Sequence, residues 1–252
     1  MSYPILEFDE TREAFIEPSK IIHPRDVAEH CVITFFKDVV DKIISAHHPK
    51  VIARNRWEDG PHPLYEIEYQ GQRLAFLHSG VGAPLASSLL EEIIAMGCRK
   101  FMVCGGCGVL APEFPVGYPV VVSEALRDEG VSYHYLPPSR TVKANSAVLK
   151  LIIKELEKRG IPHQVGKTWT TDAPYRETPN KIAARREEGC LTVEMEAAGL
   201  MAVAEFRKVP LGQILYSGDD LSGGEWDKRD WQTYSDIREQ LFWLCADICL
   251  QV

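Results

Sequence analysis

Two carboxylates separated by one methionine, Glu194-Met195-Glu196, are the residues of this chain best suited to holding a polyol. An ionised carboxylate offers two acceptor oxygens, so one side chain can take both hydroxyls of a vicinal diol such as the 2′ and 3′ groups of a ribose. A methionine beside it supplies a soft apolar wall. The same acids also suit an ordinary helix N-terminus, where the macrodipole favours negative charge. A second acidic pair, Asp219-Asp220, sits in ILYSGDDLSGG just past an apolar run, and a solvated acidic turn is the alternative there. Glycines cluster at Gly80-Val81-Gly82 and at Gly105-Gly106-Cys107-Gly108. Small residues let a ligand reach backbone N–H groups, which can anchor an anion or a carbonyl, although both clusters also fit plain turns. Gly80-Val81-Gly82 does not open a dinucleotide fingerprint, because Leu85 stands at the third glycine position.

Other chemistries are less well supplied. Cys104 and Cys107 have the spacing of a redox or metal pair, but no second CxxC and no HxxxH accompanies them. A structural zinc takes about four ligands. The seven cysteines (31, 98, 104, 107, 190, 245 and 249) therefore read as reduced, neutral thiols, with no metal site expected. Cys245 and Cys249 lie one helical turn apart in an apolar stretch, which reads as packing. A net charge of −8 gives no basic field for a nucleic-acid backbone. No apolar run reaches the roughly 20 residues of a membrane helix. The start, MSYPILEFDE, carries acids where a secretory leader carries bases, so a cytoplasmic location is expected.

The elements that must position these residues alternate. Residues 31–36 read as a buried strand, and 65–69 with 73–78 as a hairpin. Pro84 marks a helix start, Leu85, Leu89, Ile93 and Met96 its buried stripe, and Gly97 its cap. A strand at 100–104 then runs into the second glycine cluster as a turn. Strands follow at 119–125, 163–168 and 211–216, and helices at 145–159, 179–188, 196–207 and 231–250. Such alternation predicts an α/β fold: one three-layer domain with a mixed, mostly parallel central sheet flanked by helices, and ligands at the carboxyl ends of strands. Residues 1–30 are punctuated by proline and are expected to wrap the surface of a domain covering 31–252.

Taken together, Gly80-Val81-Gly82-Ala83-Pro84, the helix end at 91–97, Gly105-Gly106-Cys107-Gly108 and Val193-Glu194-Met195-Glu196-Ala197 resemble the purine/uridine nucleoside phosphorylase family. The resemblance spans about residues 31–250, and the order of the pieces makes it specific. It implies a small-molecule nucleoside as substrate, cleaved at its N-glycosidic bond. Glu196 would clamp the ribose, helped by Glu194 and Met195, with His23 a candidate for a neighbour-donated residue at the sugar's 5′ end. Asp219 would be the general acid at purine N7, with Asp220 the alternative, and Cys107, Gly108 and Tyr175 would line the base. Tyr133-His134-Tyr135 is a further base-pocket candidate, and Gly223-Gly224 with Trp226 and Trp231 suggests a flap. The uracil clamp of the uridine-cleaving branch has no clean match in 172–178, so purine-type substrates are favoured.

The family takes inorganic phosphate as co-substrate and uses no cofactor, and here its anion site is incomplete. Val39 and Val103 stand where the resemblance places two phosphate arginines. Arg56 (or Arg54) from a neighbouring subunit, Lys37, Gly82, Gly105 and Gly106 remain as candidates. Phosphorolysis is the leading expectation. Hydrolysis with Asp38 as base is the second, followed by uridine phosphorolysis and a non-catalytic nucleoside-binding or storage role. The resemblance also implies a homodimer or hexamer with shared sites.

Overall fold

The computed structural model describes residues 3–111 and 114–252. In chain order it begins with α1 (Pro18–Ile21), β1 (His30–Thr34), α2 (Lys37–His47), β2 (Lys50–Trp57), β3 (Gly60–Tyr69) and β4 (Gln72–His78). There follow α3 (Ala83–Met96), β5 (Lys100–Val109), β6 (Pro119–Asp128), α4 (Ser132–Tyr135), β7 (Thr141–Lys143) and α5 (Ser146–Lys158). The last third holds β8 (Gln164–Thr171), α6 (Pro179–Glu187), β9 (Cys190–Glu194), α7 (Ala197–Arg207), β10 (Leu211–Asp220) and α8 (Ser235–Cys249).

Side chains alternate across β5, and the core divides with them. Phe101 and Val103 pack with α3 and α7 on one face, while Met102 and Cys104 pack with α2, α5 and α8 on the other. That is the expected helix–sheet–helix layering. The sheet is mixed, with five parallel and five antiparallel ladders among the described residues, so parallel pairs are half rather than most. β5 pairs with β1, β10 and β9, which closes β5-β10-β6-β8-β9 into a ring and leaves β1-β4-β3-β2 as an open wing.

Local signals explain most boundaries. Gly82 caps α3 with φ +100° and Pro84 occupies its first turn. The Asn145 side chain accepts from the N–H groups of Ala147 and Val148, and Thr178 accepts from Lys181. α8 starts at Ser235 rather than 231, because Trp231–Thr233 form a separate 3-10 turn and Tyr234 (φ −87°, ψ 49°) is not helical. β2 was not legible in the sequence. It is a mostly exposed edge strand without alternation, and its partner carries Pro61 and Pro63 opposite Arg56 and Arg54.

The second glycine cluster is a correction. The segment from Gly105 to Gly108 is not a turn but the continuation of β5 to Val109, paired with β10 and then with β9. Its glycines are demanded by neighbours. A Cβ on Gly105 would stand 2.9 Å from the Phe35 ring, and one on Gly108 would stand 2.5 Å from Leu221 and 2.9 Å from Val193. Strand alternation also separates Cys104 from Cys107: one packs toward α8, the other toward the opposite face. All seven cysteines are buried free thiols. Among the described residues no helix is long and apolar enough to cross a membrane.

Candidate functional site

The strand β9 ends where α7 begins, and this junction carries the Glu-Met-Glu segment. Glu194 accepts hydrogen bonds from Thr170 Oγ1 (2.6 Å) and from the N–H groups of Glu196 (2.7 Å) and Ala197 (2.6 Å). Thr170 in turn accepts from the Ala198 N–H at 3.0 Å. Glu196 accepts from the Gly82 N–H at 2.6 Å, which ties the α3 and α7 N-termini together. Burial pushes both carboxyls up; the charge of Glu194 raises Glu196 further, while hydrogen bonds from Thr170 and two backbone N–H groups hold Glu194 back.

A cavity of about 370 Å³ opens beside this junction. Its floor is Gly106, Cys107 and Gly108 of β5 with Val193, and Glu194, Met195 and Glu196 form one side. Tyr216, Gly218 and Asp219 of β10 form the next, Pro174 and Glu177 the outer rim, and Phe35, Phe36, Trp231 and Arg238 the far end. A larger apolar recess of about 640 Å³ lies beyond Tyr216, but its charged residues Arg159 and Asp247 are spent on each other at 2.6 Å. The smaller cavity holds the reactive groups.

Asp219 accepts from the Trp226 indole N–H at 2.7 Å, so the 221–230 loop reaches over the end of β10. Asp220 is committed elsewhere: it pairs with Arg229, accepts from Ser222 N–H at 2.7 Å and does not line the cavity. Of the two acids, only Asp219 faces the site. Opposite it, Glu177 is pushed up to about 7, first by burial and then by the charge of Asp219. The Cys107 thiol is pushed well up by burial and donates to the Tyr216 carbonyl at 3.3 Å, so it is a neutral wall.

Residues 29–242 match the family model described as the phosphorylase superfamily. The chain belongs to the phosphorylase superfamily. It is 27% identical over 209 residues to a guanosine phosphorylase of Halorubrum lacusprofundi, covering 82% of this chain and 85% of that protein. It is 32% identical over 183 residues to a DeoD-type purine nucleoside phosphorylase of Colwellia psychrerythraea, covering 71% and 74%. Among solved structures, a uridine phosphorylase of Vibrio fischeri superposes with TM-score 0.75 at 20% identity, covering 90% of this chain and 94% of that one. An AMP nucleosidase of Bacteroides thetaiotaomicron does so with TM-score 0.71 at 20% identity, covering 90% of each.

The superfamily fold thus brings Glu194, Met195, Glu196, Gly106, Cys107, Gly108 and Asp219 to one cavity. Other sequence candidates fall outside it. Gly105 lies under the Phe35 ring, and the Gly82 N–H is taken by Glu196 rather than left for an anion. Lys37 is exposed and paired with Asp41. Arg56 and His23 are exposed, and Tyr175, 98% exposed, turns away while Pro174 and Glu177 face inward. Tyr133 donates to the Arg127 carbonyl and Tyr135 packs on Phe206, and neither lines the cavity. Val39 and Val103 are fully buried on opposite faces of the sheet and do not share an anion pocket. Two charged residues of the cavity lining escaped the sequence reading, Glu177 and Arg238. Glu177 sat unremarked in the stretch searched for a uracil clamp, and Arg238 was one of several charges on an amphipathic helix.

Proposed function

We propose that this chain cleaves the N-glycosidic bond of a purine nucleoside, with phosphate as the attacking group, releasing free base and ribose 1-phosphate. The observation that carries the reading is that Glu196 and Asp219 face one cavity from two different elements. Glu196, ionised once the diol donates to it, holds the 2′ and 3′ hydroxyls, with Met195 against the sugar. Asp219 meets purine N7, where protonation makes the base a better leaving group as the sugar gains oxocarbenium character. Its Trp226 donor at 2.7 Å is the contact that an incoming base edge replaces. The purine and guanosine phosphorylase names of the curated relatives agree with this assignment. Arg56 and His23, exposed on this chain, are assigned in this reading to the site of a second copy.

Hydrolysis is the second reading, and one observation favours it. Phe35 and Phe36 occupy the end of the cavity where the resemblance places a phosphate-binding backbone loop. Chromatographic assay of guanosine, inosine, adenosine and uridine, with and without phosphate, separates the two. Release of purine bases only with phosphate is expected; release that ignores phosphate makes the enzyme a nucleosidase, and uridine as the preferred substrate removes the purine assignment.

A further inference from the structure

Among the described residues that line the cavity, Arg238 of α8 is the one Arg or Lys. It is only 9% exposed, and its guanidinium lies 4.7 Å from the Phe36 ring centroid and 6.0 Å from that of Trp231. Aromatic walls of this kind favour a cation and lower the local dielectric, which strengthens its pull on any anion within reach. Its counter-charge is Asp38, in the first turn of α2, with Arg238 Nη2 lying 2.9 Å from Asp38 Oδ1. The pair is poorly made, however. Arg238 Nε and Asp38 Oδ1 are both buried and both lack a hydrogen bond. A guanidinium fork normally satisfies a carboxylate through two parallel N–H bonds. Here the fork is held by charge alone, with a donor to spare.

We propose that Arg238 is the oxyanion ligand of this site and that Asp38 is a placeholder, balancing the guanidinium until a phosphoryl group displaces it. This rests on the nucleoside reading only for what is done with the anion; the site itself is a matter of binding. It explains how the chain does without a cation at Val39 and Val103. The charge reaches the cavity from the C-terminal helix instead of from β5 and the start of α2. A tetrahedral oxyanion offers the fork two oxygens and so satisfies the idle Nε, which Asp38 does not. The same chemistry has two sources, inorganic phosphate as the attacking group or the phosphoryl group of a nucleoside monophosphate substrate.

The test measures binding, without turnover, by calorimetry and thermal shift, using inorganic phosphate and, separately, adenosine monophosphate beside adenosine. Sodium chloride at matched ionic strength serves as the control. Wild-type protein is expected to bind at least one of the two phosphoryl ligands beyond the chloride effect. Arg238→Met should weaken that binding roughly tenfold or more, the scale of one lost charge-assisted bond. Arg238→Lys should recover part of it, since a point charge replaces the fork. Asp38→Asn should tighten binding several-fold, because the competing carboxylate is gone. That gain is a sign a merely structural ion pair would not give. Stronger binding of inorganic phosphate assigns the site to the attacking group, and adenosine monophosphate binding well above adenosine assigns it to the substrate's own phosphoryl group. The proposal is overturned if Arg238→Met, folded by circular dichroism, binds both ligands as wild type does. It is equally overturned if neither ligand binds wild type, or if Asp38→Asn weakens binding. Failure of the nucleoside reading would show separately, as absence of base release with oxyanion binding intact.

Discussion

The β9–α7 junction and the end of β1 face the same cavity and are built in opposite ways. At the junction the carboxyl oxygens are met by backbone N–H groups and a threonine that the fold itself supplies. At the end of β1 the walls are phenylalanines, and the one ion pair leaves two buried atoms without a hydrogen bond. Backbone donors come with the fold and are hard to lose; side-chain cations are changed by single substitutions. In the proposed reading the first is the sugar end, and the second is the nucleophile end, whose charge comes from α8.

That contrast can be broken at several points. The largest effect is expected from Glu196→Ala, because Glu196 is the proposed diol clamp and the oxygens of neighbouring Glu194 are already taken by Thr170 and two backbone N–H groups. With two charge-assisted hydrogen bonds lost, kcat/KM for a purine nucleoside should fall roughly 10²–10⁴-fold. A drop under tenfold, measured by base release, would place the sugar elsewhere. Asp219→Asn comes next, with kcat down about 10²–10⁴-fold and KM little changed, the range for loss of a general acid. Equal activity on purine nucleosides would move the acid to another group.

A third change tests the strand rather than the chemistry. Gly108→Ala would place its Cβ 2.5 Å from Leu221 and 2.9 Å from Val193, under the cavity floor. Overpacking of this kind typically costs about 1–3 kcal/mol, visible as a lower denaturant midpoint. An unchanged midpoint would show that the floor yields.

The smallest effect concerns Glu177. It faces Asp219 across the cavity, with Arg186 and Glu225 lining the recess behind it and Glu194 and Glu196 on the cavity's other side. Its pKa is raised to about 7, so it is protonated below that pH and ionised above it. Once ionised it becomes an acceptor for base N–H groups, so kcat/KM should climb severalfold as pH rises through about 7. Glu177→Gln should shrink that limb and leave the part due to Glu194 and Glu196, raised to about 7 and about 8; a limb unchanged in the variant assigns all of it to those two groups.

Much of this was legible from residues alone. Amphipathic spacing and caps located α3, α5 and α6, whereas the paired acids pointed to the junction through the family resemblance, since acids at a helix N-terminus are otherwise ordinary. The glycine cluster misled, since a run of small residues signals a turn and a crowded strand equally well, and only Phe35, Tyr216 and Leu221 decide between them. Arg238 was hidden for a similar reason. Its helix is separated from β1 by some two hundred residues of chain, and only packing brings it beside Phe36 and Asp38. Val39 and Val103, which the resemblance sets at two arginine positions, are buried on opposite faces of the sheet, a separation that spacing along the chain does not show.

The central claim is that the cavity holding Glu196 and Asp219 cleaves a purine nucleoside. Guanosine incubated with the purified chain in phosphate buffer, followed by chromatography of base and sugar, tests it most directly. Guanine and ribose 1-phosphate should appear in equal amounts and disappear together in Asp219→Asn. Guanosine, inosine and adenosine all recovered intact by the wild-type protein would contradict it.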